Sequence, residues 1–232
     1  MKVRRRHSRG SVVLLSGGMD SATCLAIASR DESPVHCLTV VYGQRHAREV
    51  SAARKLARHW KAIRHVVLTI PIGPLLDSSL TDSRRPIPRS SRAGAGIPST
   101  YVPARNTIML GLALGYAESH GLQSIYIGVN AIDYSGYPDC RPEFLTAFEE
   151  VARLGTKVGT EGADPIHIQA PLVRLAKAEI VRLGETLHVP WEQTWSCYRG
   201  GRRPCGRCDA CRLRAQGFRS AGVEDPAFGP VN

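Results

Sequence analysis

The residues able to do chemistry begin at Ser16-Gly17-Gly18-Met19-Asp20-Ser21, directly after the apolar run Val12-Val13-Leu14-Leu15. An apolar run, a Gly-Gly turn and apolar residues at helical spacing (Ala22, Leu25, Ala26) predict strand, loop and helix. Two adjacent glycines let backbone N–H groups crowd against an anion with no Cβ in the way. Ser21 is expected to open the helix, whose free N–H groups and dipole favour a phosphate. The segment reads as a phosphate cradle. It is no Walker loop, because no Gly-Lys-Ser/Thr follows, and no dinucleotide fingerprint, because the third glycine is missing. An ordinary turn with a serine cap accounts for fewer of these positions.

Four of the seven cysteines crowd into Cys197-x7-Cys205-x2-Cys208-x2-Cys211, with Gly206 in the turn before a predicted helix. Four soft ligands at short spacing suit a tetrahedral zinc closed to solvent, a structural site. The C-x2-C-x2-C run also fits an iron–sulfur cluster. Nothing else in the chain asks for electron transfer, which favours zinc. Cys24 and Cys37 fall in apolar segments and are expected as small buried hydrophobes.

A third group spans residues 128–142 and packs Asp133, Tyr134, Ser135, Tyr137, Asp139 and Arg141 after an apolar run. A carboxylate accepts from both the ring amide and the exocyclic amine of a guanine-like edge, and tyrosine rings stack on heterocycles. Arg141 suits a bidentate carboxylate or phosphate. An Asx/Gly/Pro turn is the plainer reading of the same composition. In Tyr101-Val-Pro103-Ala-Arg105-Asn106 a loop meets a helix that Asn106 is expected to cap. Lys177 lies near another helix start, where an ammonium holds a phosphate as a point charge or simply faces water.

These groups need a scaffold, and the chain offers alternating elements. Strands are predicted at 12–15, 35–42, 64–70, 124–129 and 165–169, and helices at 45–60, 106–120, 143–155 and 175–187. Such alternation means an α/β fold, a parallel five-stranded sheet with helices on both faces. Ligands in such folds bind at the carboxyl ends of the strands, so the loops at 16–21, 42–46, 130–142 and 171–177 are expected to converge. Residues 71–103, rich in Pro, Gly and Ser, are too long for a plain connection and read as a lid, a binding loop or a linker. The expected division is a basic tail at 1–10, the α/β domain at 11–190, a small zinc-binding helical subdomain at 191–219 and a tail at 220–232.

At 232 residues the chain can bury one substantial core. No apolar run approaches the roughly 20 residues needed to span a bilayer. Residues 12–15 are too short for a signal-peptide core, and the cytoplasm is the expected compartment. A net charge of +11 suits a polyanionic partner, ATP or nucleic acid, without choosing between them.

Taken together, SGGMDSAT, Tyr42-Gly43-Gln44-Arg45-His46, YVPARN, Asp133-Tyr-Ser-Gly-Tyr-Pro-Asp-Cys-Arg141, Lys177-Ala-Glu-Ile and the cysteine pattern resemble the 7-cyano-7-deazaguanine synthases. These are nitrile-forming ligases of queuosine and archaeosine biosynthesis, in the superfamily of enzymes that split ATP into AMP and pyrophosphate. The first motif alone says only ATP pyrophosphatase; DYSGYPDCR with the cysteines is specific to the family. The match covers residues 11–219 and departs at Val41, where the family usually has Asp, and at Ala104, where it has Gly.

The resemblance implies an adenine nucleotide alpha hydrolase-like fold and a conversion of 7-carboxy-7-deazaguanine and ammonia to the nitrile, using two ATP with Mg²⁺. It implies a nucleotide loop formed by Leu15, Ser16, Gly17, Gly18, Met19, Asp20, Ser21, Ala22, Thr23, Cys24 and Leu25. Asp20, Ser21 and Lys177 would serve catalysis. Tyr42, Gln44, Arg45, Arg105, Asn106, Asp133, Tyr134, Ser135, Tyr137, Asp139 and Arg141 would meet the substrate. Zinc would sit on Cys197, Cys205, Cys208 and Cys211, in a homodimer with no membrane or nucleic-acid partner. The rivals are a tRNA-modifying relative that adenylates a base and thiolates it, and a non-catalytic zinc-ribbon RNA-binding module. Thiolation wants a redox pair flanking the ATP loop, and an RNA binder has no need of SGG-x-DS.

Overall fold

In the computed structural model, the described residues are 9–44, 48–82, 84–88, 97–130, 137–162 and 164–228. Strands and helices alternate as β1 (Ser11–Leu14), α1 (Met19–Asp31), β2 (Val35–Val41), α2 (Arg48–His59), β3 (Arg64–Thr69) and α3 (Arg105–Ser119). They continue as β4 (Ser124–Tyr126), α4 (Pro142–Gly155), α5 (Lys157–Thr160), β5 (His167–Gln169), α6 (Lys177–Thr186) and α7 (Asp209–Ala221). The sheet has five strands in the order β3-β2-β1-β4-β5, and every pairing is parallel. The expected fold class is the one observed.

Strand β1 is central and apolar on both faces, as a doubly covered parallel strand must be. Alternate side chains divide its burial between two cores. Val12 and Leu14, with Leu38 and Val40 of β2, pack with Leu110 and Ala113 of α3 and Leu145 and Phe148 of α4. Val13, Leu15 and Cys37 pack on the other face with Leu25 of α1, Leu56 of α2, Ile180 of α6 and Phe218 of α7. Each fully buried leucine contributes on the order of 1.5–3 kcal/mol relative to an exposed one. Helix α2 shows why it docks: Val50, Ala53, Leu56 and Ala57 are buried along one stripe, and Lys55 and Arg58 face out.

Strand order reverses between β1 and β4, which opens a crevice at their carboxyl ends. There β4 stops three residues earlier than predicted, and its last ladder bond runs from Ile127 N–H to the Gln169 carbonyl at 2.9 Å. Gly128 explains the early exit. Its backbone lies against the first turn of α1, where a Cβ would stand 2.9 Å from the Ser21 nitrogen.

Two predicted helix starts are corrected. Helix α1 opens at Met19 with Gly18 as its cap, so Ser21 is its third residue. Helix α3 opens at Arg105, and the cap position is Ala104 with a left-handed φ of 53°. Asn106 is inside the helix, and its first turn is satisfied from elsewhere.

The long segment 71–103 is a packed wall over much of its described length. Ser78 and Ser79 hydroxyls donate to the Ser99 carbonyl, Leu80 joins the first core, and Ile87 packs on the cysteines. The C-terminal stretch is tied to the same body: Trp191 and Phe218 meet edge to face at 5.3 Å within the second core. Arg214 is buried against Asp225, its Nε donating to the two carboxylate oxygens at 3.1 and 2.8 Å. Asp225 falls in what the sequence suggested was a tail. Among the described residues no helix is long and apolar enough to cross a membrane.

Candidate active site

The crevice above β1 and β4 holds a cleft of about 260 Å³. One side of it is the loop at 16–21, the candidate phosphate cradle. Gly17 takes a φ of 88°, and a Cβ there would stand 2.4 Å from the Glu49 carbonyl, so the loop can cross α2 only with glycine. Trp195 N–H donates to the Gly17 carbonyl at 2.8 Å and pins the loop from the C-terminal side. Within the loop the Ser21 hydroxyl donates to the Gly18 carbonyl at 3.0 Å and accepts from Ser16 N–H at 3.2 Å. The Ser16 and Ser21 hydroxyls meet at 3.0 Å. These bonds tie the loop to itself, and the α1 N-terminus, where helical N–H groups lack carbonyl partners, lines the cleft.

Of the loop residues named from sequence, Leu15, Ser16, Gly18, Met19, Asp20 and Ser21 line the cleft. Ala22, Thr23, Cys24 and Leu25 do not. They form the second turn of α1, are wholly buried, and face the core instead of the nucleotide loop. Gly17 contributes conformation and does not line the wall.

Asp20 and Lys177 form one unit. The Lys177 ammonium donates to both Asp20 carboxylate oxygens, at 3.0 and 2.9 Å. Lys177 begins α6, and its stem crosses α7 at Gly217, where a Cβ would stand 2.5 Å from the lysine Cγ. Helix α7 thus aims the ammonium at the phosphate loop.

Tyr42, Gln44, Glu49, Arg105, Asn106, Asn130, Tyr137 and Cys140 line the rest of the cleft. Gln44 fixes the end of β2 by accepting from Tyr42 N–H at 2.7 Å. Burial works against the Arg105 charge, but Tyr42, Cys140 and Asp139 around it outweigh burial and hold it protonated. Burial pushes the Tyr42 hydroxyl up, against the pull of Arg105. Tyr137 bonds Thr100 at 3.0 Å and lies 5.5 Å from the Tyr101 ring, giving a tilted aromatic pair. Asn130 donates to the Leu172 and Leu175 carbonyls, fastening the end of β4 to the start of α6.

Asp139 and Arg141 are not brought to the cleft. Asp139 is buried, and its Oδ2 accepts from Asn106 N–H at 3.0 Å, which is the missing cap of α3. The Asn106 amide returns the bond to the Asp139 carbonyl at 3.0 Å and reaches Cys140 Sγ at 3.3 Å. Asp139 is thus spent on holding Arg105 and Asn106 at the rim. Arg141 is exposed and caps α4. Arg45, Asp133, Tyr134 and Ser135 lie outside the described residues.

Sequence reading missed four contributors. Trp195, Ser196 and Tyr198 complete the mouth of the cleft beside the cysteines, a placement that only the C-terminal fold-back produces. Glu49, three residues after the YGQRH motif ends, lines the cleft from the first turn of α2. Burial, opposed by Arg105 and helped by Cys197, pushes its carboxyl up to about 7.

The four cysteine sulfurs lie within 4.8 Å of one another, a set that could hold a metal ion. A tetrahedral zinc with Zn–S bonds of about 2.3 Å spaces its sulfurs at roughly 3.8 Å. Backbone N–H groups of Arg199 and Cys205 point at Cys197 Sγ, and those of Arg207 and Cys208 at Cys205 Sγ, all at 3.4 Å. Donors aimed at sulfur favour thiolates, and bonds from the Cys208 and Cys211 thiols drive Cys197 to ionise. The donor set fits a metal closed to solvent, since Cys197, Cys208 and Cys211 are buried.

Residues 10–222 match the family described as Queuosine biosynthesis protein QueC. A protein of Anaeromyxobacter sp. (strain Fw109-5) named 7-cyano-7-deazaguanine synthase is 54% identical over 228 residues, covering 97% of each chain. One of the same name from Aromatoleum aromaticum is 54% identical over 218 residues, or 93% of this chain and 96% of its own. Among solved structures, the NMN synthetase from Francisella tularensis superposes with a TM-score of 0.51 at 17% identity. It covers 94% of this chain and 79% of its own, a likeness of fold alone. With the phosphate loop, the cleft wall and the thiolate set in one frame, the chain belongs to the QueC family of queuosine biosynthesis proteins.

Proposed function

We propose that the cleft converts 7-carboxy-7-deazaguanine and ammonia to 7-cyano-7-deazaguanine at the expense of two ATP. One observation carries this reading: the N-terminus of α1 and the residues Arg105, Tyr42 and Tyr137 line a single cleft. A phosphate site and a site for an aromatic carboxylate are what adenylation requires.

In the first round a carboxylate oxygen of the substrate attacks the α-phosphorus of ATP, and the bond to the bridging oxygen breaks. The N–H groups at the start of α1 and the Ser16 and Ser21 hydroxyls would hold the departing pyrophosphate, stabilising charge that develops in the transition state. Mg²⁺ bound to the nucleotide would neutralise phosphate charge. Asp20, held by Lys177, is the carboxylate placed to position that ion, and Lys177 faces the phosphates. Arg105 offers the two-pronged donor for the substrate carboxylate. Tyr42 and Tyr137 supply faces for the ring, with Gln44 and Asn106 at the same wall. Asp133, on sequence grounds, is the carboxylate proposed for the guanine-like edge.

Ammonia then attacks the acyl carbon, the bond to AMP breaks, and an amide results. In the second round the amide oxygen attacks a new α-phosphorus, pyrophosphate leaves, and loss of AMP and protons leaves the nitrile. One loop serves both rounds. The four cysteines would hold zinc, which supplies folding energy and no chemistry. A cytoplasmic homodimer is part of the same proposal, and the family resemblance is what supports it.

The test is mass spectrometry of the product formed from 7-carboxy-7-deazaguanine, ATP and ammonium. The nitrile with AMP and pyrophosphate is expected. Recovery of unchanged carboxylate, or of a thiolated or RNA-linked product, would overturn the reading.

A further inference from the structure

We propose that Glu49 receives the ammonia nucleophile, taking a proton from ammonium and releasing it as ammonia beside the acyl adenylate. The inference rests on the proposed function and adds a residue that neither the motifs nor the family match assigns. Ammonium carries no lone pair, so it needs a base to take its proton, and a carboxylate can do this while also binding the cation.

Among the described residues that line the cleft, two are carboxylates, Asp20 and Glu49. Both Asp20 oxygens already accept from Lys177. Asp139, the nearby acid suggested by sequence, caps α3 and is absent from the wall. Glu49 is left. Its backbone is locked to the phosphate loop, because its carbonyl lies where a Gly17 Cβ would be. Glu49 lines the same cleft as Tyr42 and as Arg105, which is proposed to hold the substrate carboxylate, and its carboxyl interacts electrostatically with both. The acyl carbon, which comes from the substrate carboxylate, must lie between the loop proposed to hold the α-phosphate and Arg105. Glu49 belongs to both.

The step balances without another reactant. The Glu49 carboxylate takes one proton from ammonium, and the freed lone pair forms the C–N bond. The acyl C–O bond to AMP breaks, the N-protonated amide gives its extra proton to water, and Glu49 returns its own proton to the departing AMP or to water.

The experiment separates the two half-reactions. Glu49→Gln should keep ATP–pyrophosphate exchange dependent on 7-carboxy-7-deazaguanine near that of the unaltered protein. Its kcat/KM for ammonium should fall by about 100-fold, the size of a general-base contribution. Hydroxylamine, neutral at pH 7, needs no base, so hydroxamate should form at the unaltered rate. Glu49→Asp, which keeps the charge on a shorter arm, should recover part of the ammonium-dependent rate. An unchanged ammonium dependence in Glu49→Gln would overturn the assignment. Loss of exchange in both variants would also overturn it, making Glu49 a structural or carboxylate-site residue. Absence of exchange in the unaltered protein would remove the proposed function itself, and this inference with it.

Discussion

Asp20 and Lys177 stand 157 positions apart and meet through two hydrogen bonds at the phosphate loop. Sequence could name each of them, since one sits in SGGMDS and the other at a helix start, but their pairing needs α1, α6 and α7 assembled. Asp20→Ala or Ser21→Ala should lower kcat for AMP formation by about 10²–10³-fold, the typical loss of one preorganised contact to developing charge. Near-normal turnover in both would sink the loop assignment. Asp139 shows the opposite limit of legibility. Its type fits a guanine edge, but the α3 N-terminus claims it, and sequence does not reveal that competition. Asp139→Ala should cost about 1–3 kcal/mol of stability in denaturant unfolding, since a buried helix end is left unsatisfied. Discrimination against a substrate analogue lacking the exocyclic amine should not change. Glu49 adds a pH signature. Its pKa rises from 4.5 to about 7 on folding, so the folded state binds the extra proton. Stability therefore falls as pH climbs through that window and levels off above it. Urea unfolding of Glu49→Gln at several pH values should lack this component, and identical pH profiles would contradict the burial argument.

At the scale of elements, the alternation of apolar runs and amphipathic helices was enough to give the parallel sheet and its two-sided cover. Boundaries were less legible where one element ends because another occupies its space. Strand β4 stops because Gly128 meets α1, and α1 starts two residues before its serine because Gly18 is the cap. Ala104 is a residue whose backbone argues with its side chain. It takes the left-handed region at φ 53°, the position where the family usually has glycine. Ala104→Gly should stabilise the chain by up to about 1 kcal/mol, since an L-residue pays roughly 1–2 kcal/mol there and glycine pays less. A thermal melt reads the shift, and a lower melting temperature would show that the strain is relieved some other way.

Over the whole molecule, the C-terminal stretch closes the site that the N-terminal loop begins. Trp195 pins Gly17, Gly217 steers Lys177, and the cysteines sit behind Trp195 and Tyr198. The ligand set was legible because its spacing is short and local. Its structural reach into the cleft was not, because the fold-back depends on the α6–α7 packing. Cys208→Ser should lose the metal and lower both the melting temperature and activity together. One zinc per chain by elemental analysis is expected before the change, and an iron–sulfur absorption band in anaerobically purified protein would contradict zinc. The central claim is that this cleft activates a carboxylate by joining it to the α-phosphate of ATP. Its most direct test is to supply 7-carboxy-7-deazaguanine with a heavy-oxygen label in the carboxylate and weigh the AMP released. Label in the AMP, carried over from the substrate oxygen, is the result expected. Unlabelled AMP, or label found in pyrophosphate, would contradict it.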